Sequence, residues 1–218
     1  MKSKKALKTM VFFVFIILAT TLFAGCTRGD ALPKPKLPRQ ETNTIYYFDY
    51  GVPAGWVVNA NDDSTYIAMD PDTGLRTIVS IYPSEYENST TPDVSITVYR
   101  NDNLPIVADA NAGMAIITKM WEDKGLTDFS QSAFDSKYIE GRIPEQYRFV
   151  HYTYTRSDGT AMAGDYYVLI AGMNYFMIVY EATNSSDGGK SLYETNLQNF
   201  NDFLYDFIRR DAKDTDTD

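Results

Sequence analysis

Few side chains in this chain are of types that do chemistry unaided. Among its 218 residues there is one cysteine, Cys26, and one histidine, His151. With the only thiol near the front of the chain and no G-x-S-x-G elbow, a cysteine or α/β-hydrolase triad lacks parts. His151 falls inside a strand-like segment and reads as a partly buried core or surface histidine rather than a catalyst. No phosphate loop of the G-x-x-x-x-G-K type occurs, no cofactor motif is present, and no cofactor or metal is expected. The run Asp70-Pro71-Asp72-Thr73-Gly74 has the look of a calcium loop. Yet Gly74 occupies a ligand position and the twelfth place is Ile81 rather than a bidentate glutamate, so a hairpin turn is the better reading. Asn61-Asp62-Asp63 is likewise a turn. What one sequence leaves open is a carboxylate pair for glycoside hydrolysis, for instance Glu140 with Asp165, because such pairs are made by the fold.

The opening MKSKKALKTM carries Lys2, Lys4, Lys5 and Lys8 and no acid, and an apolar run follows over 11–23. That is the layout of a secretory leader, and the run is shorter than the roughly 20 residues of a stable membrane span. The segment Phe23-Ala24-Gly25-Cys26 resembles the lipobox of bacterial lipoproteins. The resemblance implies that Cys26 is alkylated by diacylglycerol and becomes the first mature residue. The other reading, an ordinary signal peptide or uncleaved anchor helix, leaves a lone thiol in a secreted chain with nothing to consume it. Several acyl chains would hold the protein on a membrane where a single one binds only marginally.

Cleavage changes the charge. Removing the four leader lysines from 20 basic residues leaves 16 against 29 acidic ones, a net charge of −13. Such a surface repels phosphate backbones, and nucleic acid is excluded as a partner on that ground. Residues 26–44, with Pro33, Pro35 and Pro38, read as a tether able to reach about 50 Å at about 3.1 Å per residue. Residues 210–218 read as an acidic tail with nothing to bury. Between them, 45–209 reads as one domain held by its hydrophobic core, since no second cysteine is available for a disulfide.

The elements that must position any site follow from periodicity. Strands are expected at 45–48, 56–58, 65–69, 75–82 and 94–100. A helix with one buried stripe is expected over 107–124, from Ala110, Met114, Ile117, Met120 and Trp121, with Gly125 as its stop. Residues 146–155, 161–171 and 175–182 form an expected three-strand meander whose strands are apolar on both faces. Ser191-Leu192-Tyr193-Glu194 fits a capping box, and Leu197, Phe200, Phe203, Leu204, Phe207 and Ile208 make one stripe of a final helix.

The stretch Phe48-Asp49-Tyr50-Gly51-Val52-Pro53-Ala54-Gly55-Trp56 resembles the opening of PsbP-like domains, and the late strands followed by a Phe-rich terminal helix are similar to their close. The resemblance implies an α+β fold, an antiparallel β-sheet covered by helices on both faces as an α/β/α sandwich. It also implies membership among mostly non-catalytic binding and assembly subunits, such as the photosystem extrinsic subunit and a Ran-binding import factor. The expected function is a lipid-anchored extracytoplasmic module that holds a protein or envelope partner near the membrane; the alternative is a cell-wall or glycan hydrolase. The 17 tyrosines serve chiefly as core. Of these, Tyr46, Tyr47, Tyr50, Tyr152 and Tyr154 are the candidates for an aromatic partner-binding platform.

The lipid reading of Cys26 makes a direct prediction. Cys26→Ser is expected to leave the protein uncleaved or shed into the medium, and fatty-acid label should enter only the wild type. A membrane-bound wild-type protein that takes up no label would mark an uncleaved helix instead.

Overall fold

A computed structural model of the chain describes residues 32–60, 75–101, 110–171, 174–186 and 188–210. The leader, Cys26, the expected strand at 65–69, the turn at 70–74 and the acidic tail beyond Arg210 lie outside the described residues. The described residues from Lys34 to Arg210 belong to one compact unit.

Among the described residues two antiparallel sheets organise it. The larger has eight strands: β3 (Trp56–Ala60), β4 (Leu75–Pro83), β5 (Val94–Asn101), β10 (Asn174–Thr183), β9 (Ala161–Ala171), β8 (Glu145–Thr155) and β6 (Thr127–Gln131) in spatial order, with β7 (Asp135–Ile139) also paired to β8. The smaller joins β1 (Arg39–Asn43), β2 (Phe48–Val52) and β11 (Ile208–Arg209) in that order. The expected meander is present as β8, β9 and β10, in continuous antiparallel register.

The expected helix-covered α/β/α sandwich is not what forms. Among the described residues strand accounts for 49% and helix for 18%, with two α-helices, so this part of the molecule is mostly antiparallel β-sheet. The reason lies in what meets the apolar strand faces. One face is met by the terminal helix, Leu192–Asp206, together with the small sheet, whose Phe48, Tyr50 and Val52 point into the same core as Phe200, Phe203 and Phe207. Only part of the opposite face is met by the central helix, Ala110–Asp123, through Ile117 and Trp121. Residues 127–139, which carry no strong periodic signal, add two further strands.

Local chemistry sets the ends of these elements. Ser191 Oγ accepts a hydrogen bond from the Glu194 amide at 3.2 Å, and Glu194 Oε2 accepts one from the Ser191 amide at 3.1 Å, completing the capping box. Gly125, at φ 69°, ends the central helix in the left-handed region that glycine adopts without steric cost. The strand expected at 45–48 starts later, at Phe48, because 44–47 is a turn with Tyr47 at φ 57°.

The tether expectation fails at its C-terminal end. Leu37 is buried and Arg39–Asn43 is a strand, so the domain begins before Ile45. The cause is Asp206, a fully buried carboxylate in the last turn of the terminal helix. Asp206 Oδ1 accepts from the Lys36 amide at 2.9 Å, and Oδ2 accepts from the Leu37 amide at 2.8 Å and from Gln40 Nε2 at 3.1 Å. An anion there opposes the helix dipole, so these donors must outweigh it. The approach is close enough to require Gly51, where an added Cβ would come 2.5 Å from Asp206 Oδ2 and 2.8 Å from Leu37 Cβ.

Asp206→Ala leaves two amides without their acceptor, at about 1–3 kcal/mol each where they stay dry. A fall in melting temperature of roughly 5–15 °C is expected in a thermal melt. An unchanged melt would show that the N-terminal segment is not held by this carboxylate.

Candidate functional site

The half of the second sheet face that the central helix leaves bare is polar where a core would be apolar. Registered neighbours share a face, so Ser80 on β4 lies beside Thr97 on β5, and Ser95 on β5 beside Glu181 on β10. Ser80 Oγ and Thr97 Oγ1 are 3.3 Å apart and share a hydrogen bond. These residues floor a cleft of about 690 Å³, a size that suits a small ligand. Its walls are the Ser89–Pro92 loop, the turn carrying Arg156 and Ser157, and the segment Lys124–Leu126 at the end of the central helix.

Glu181 organises the cleft. Its Oε1 accepts from Trp121 Nε1 at 3.2 Å and from the Tyr154 hydroxyl at 2.8 Å. Trp121 stands on the central helix and Tyr154 on β8, so one oxygen ties helix to sheet. The negative charge of Glu181 raises the pKa of the Lys124 ammonium, outweighing the desolvation that opposes it. Burial raises the Tyr99 phenol, and burial beside Glu181 raises that of Tyr154, so both hydroxyls remain protonated donors at neutral pH. At the rim Arg156 donates to Asp93 Oδ1 through Nη2 and to Asp158 Oδ2 through Nε, both at 2.9 Å. Asp158 is held below the usual carboxylate range chiefly by that hydrogen bond.

The expected tyrosine platform is not assembled as one surface. Tyr50 and Tyr152 are buried, 3% and 1% exposed, and belong to cores on opposite faces of the large sheet. Tyr46 and Tyr47 are half-buried in the 44–47 turn. The Tyr46 hydroxyl accepts from Arg76 at 3.3 Å, and the Arg100 guanidinium lies 5.1 Å from its ring centre. Of these five, only Tyr154 lines the cleft. Sequence reasoning missed Glu181, Thr97, Ser80, Lys124 and Arg156. The available signal was a polar residue at the β period inside strands otherwise apolar, as in Ile178-Val179-Tyr180-Glu181-Ala182.

A second polar cluster sits on the other face. His151 Nδ1 and Asp165 Oδ1 are 2.8 Å apart, and the Tyr193 hydroxyl donates to Asp165 Oδ2 at 2.7 Å. Asp165 is 4% exposed and engaged by these two groups, while Glu140 is exposed. The carboxylate that sequence reasoning offered for glycoside hydrolysis is thus bound to a histidine and a tyrosine.

With this geometry in place, the chain can be set beside known proteins. No protein-family model and no curated protein matches it. Among solved structures it is similar to the cyanobacterial PsbP, CyanoP, from Synechocystis sp. PCC 6803, at a TM-score of 0.50 and 11% identity over 85% of this chain and 99% of that one. The fold is PsbP-like. At that identity the likeness concerns fold alone. Weaker likenesses are to a protein from Bacteroides thetaiotaomicron (TM-score 0.46, 11% identity, 80% of this chain and 49% of that one) and to one of unknown function from Pseudomonas aeruginosa (0.40, 11%, 75% and 92%). Neither bears on the site.

The His151 cluster predicts a pH dependence. The hydrogen bond to Asp165 raises the pKa of His151 in the folded state, against the effect of partial burial. The folded chain therefore holds the proton more tightly than the unfolded one. The stabilisation is complete below the unfolded value of about 6.5 and is lost as pH rises through the folded pKa. Melting temperature should fall across that window in the wild type and stay level in His151→Gln. Equal slopes in the two proteins would assign the dependence to other groups.

Proposed function

We propose that this chain is a lipid-anchored binding module at the extracytoplasmic face of a bacterial membrane, which holds an envelope partner in the cleft floored by β4, β5 and β10. The observation that carries the reading is the polar floor of a sheet face otherwise built for a core. Ser80, Thr97 and Glu181 sit at core positions of their strands yet line the cleft, an arrangement that stability alone does not favour. The basic leader, the apolar run and Cys26 support the anchor. Confinement by a short tether raises the local concentration of the module around partners in the same envelope, so modest affinity suffices. The PsbP-like fold is compatible with a binding role without naming a ligand.

A diazirine-bearing side chain placed at Thr91, on the cleft wall, should yield a covalent adduct with an envelope component on illumination of intact cells. The same group at Tyr138, exposed on β7 and outside the cleft lining, should yield none. Adducts at Tyr138 with none at Thr91 would place the binding surface elsewhere.

A further inference from the structure

Every charge in the cleft already has a partner of opposite sign nearby. Arg156 is held by Asp93 and Asp158, each at 2.9 Å, and Lys124 is coupled to Glu181. A ligand with net charge would have to compete with these opposite charges, whereas a neutral ligand need not. What is left to recognise it is a floor and wall of hydroxyls, among them Ser80, Thr97 and Ser95, together with the Tyr99 side chain. A hydroxyl both donates and accepts, so such a surface matches a partner whose own groups are hydroxyls of either role. Aromatic rings add broad contact to flat apolar C–H faces. Glu181 Oε2 makes no hydrogen bond among the described residues, since both bonds of that carboxylate fall on Oε1. A carboxylate oxygen of this kind accepts strongly from a ligand hydroxyl.

We propose that the cleft binds an uncharged oligosaccharide, with Glu181 Oε2 and the Thr97 and Ser80 hydroxyls as its hydrogen-bonding groups and Tyr99 as an aromatic contact. This rests on the cleft being the binding site, as proposed above, and narrows it to one ligand chemistry.

The test is calorimetric titration of the full chain in detergent with three probes: uncharged N-acetylglucosamine oligomers, their deacetylated cationic counterparts and anionic polyuronate oligomers. Binding of the uncharged oligomers is expected, with little change in affinity between low and moderate salt. Thr97→Val, which keeps the side-chain volume, should weaken it about fivefold, and Glu181→Gln about tenfold, the loss of a neutral and of a charge-assisted hydrogen bond respectively. Both variants are to be compared at melting temperatures that confirm folding. Binding of only the cationic or only the anionic probe overturns the assignment of a neutral ligand. Binding of none of the three, in a chain whose Thr91 position still forms an envelope adduct, overturns the saccharide class and leaves the binding site standing. Uncharged binding untouched by either substitution removes the oligosaccharide from the cleft. Cleavage of the oligomer, rather than binding alone, would overturn the non-catalytic reading.

Discussion

One carboxylate oxygen, Glu181 Oε1, fixes the boundary between core and cleft. It accepts from Trp121 on the central helix and Tyr154 on β8, and so sets where the helix lies on the sheet. On one side of that contact Ile117, Val150, Tyr166 and Val179 close into an apolar cluster. On the other the sheet face is open and hydroxylated. Because the charge of Glu181 is also what Lys124 answers, the carboxylate serves packing and site chemistry together. Replacing it with an apolar residue would free the Trp121 and Tyr154 donors in a partly buried place, which is costly.

The opposite face shows the same logic with a different outcome. There Asp206 draws the N-terminal segment onto the end of the terminal helix, and the small sheet completes a dense aromatic core. Phe48 stacks on Phe207 at 5.2 Å and meets Phe176 edge-on at 5.5 Å, while Tyr180 stacks on Phe200 at 4.9 Å. Such contacts add to the burial of large rings on that face. A buried acid, Asp206, and a half-buried one, Glu181, thus serve opposite faces of the large sheet, one sealing its face and the other bounding an opening.

Much of this was legible in the residues. The meander, the capping box, the Gly125 stop and the Phe stripe were readable because each is a local pattern with a local cause. Residues 39–43 and 127–139 were not, because edge strands with mostly exposed side chains carry little hydrophobic alternation. The helix-covered sandwich was the wrong inference from a sound premise. Strands apolar on both faces do need covering, but a second sheet supplies much of the cover on one face, and the described helix covers only part of the other. The site was hidden for a related reason. Glu181 and Thr97 come together only through strand register, and Tyr50 and Tyr152 are driven inward by their neighbours' packing rather than outward by their hydroxyls.

If the polar half-face of the large sheet holds a partner, amide hydrogen exchange should differ between the purified full chain and the chain in its native envelope. Slowed exchange in the Ser89–Pro92 loop and around Arg156 and Ser157, with the 44–47 turn unchanged, is the predicted result. Protection confined to the 44–47 turn and the terminal helix, with the cleft walls exchanging as in the purified chain, would contradict it.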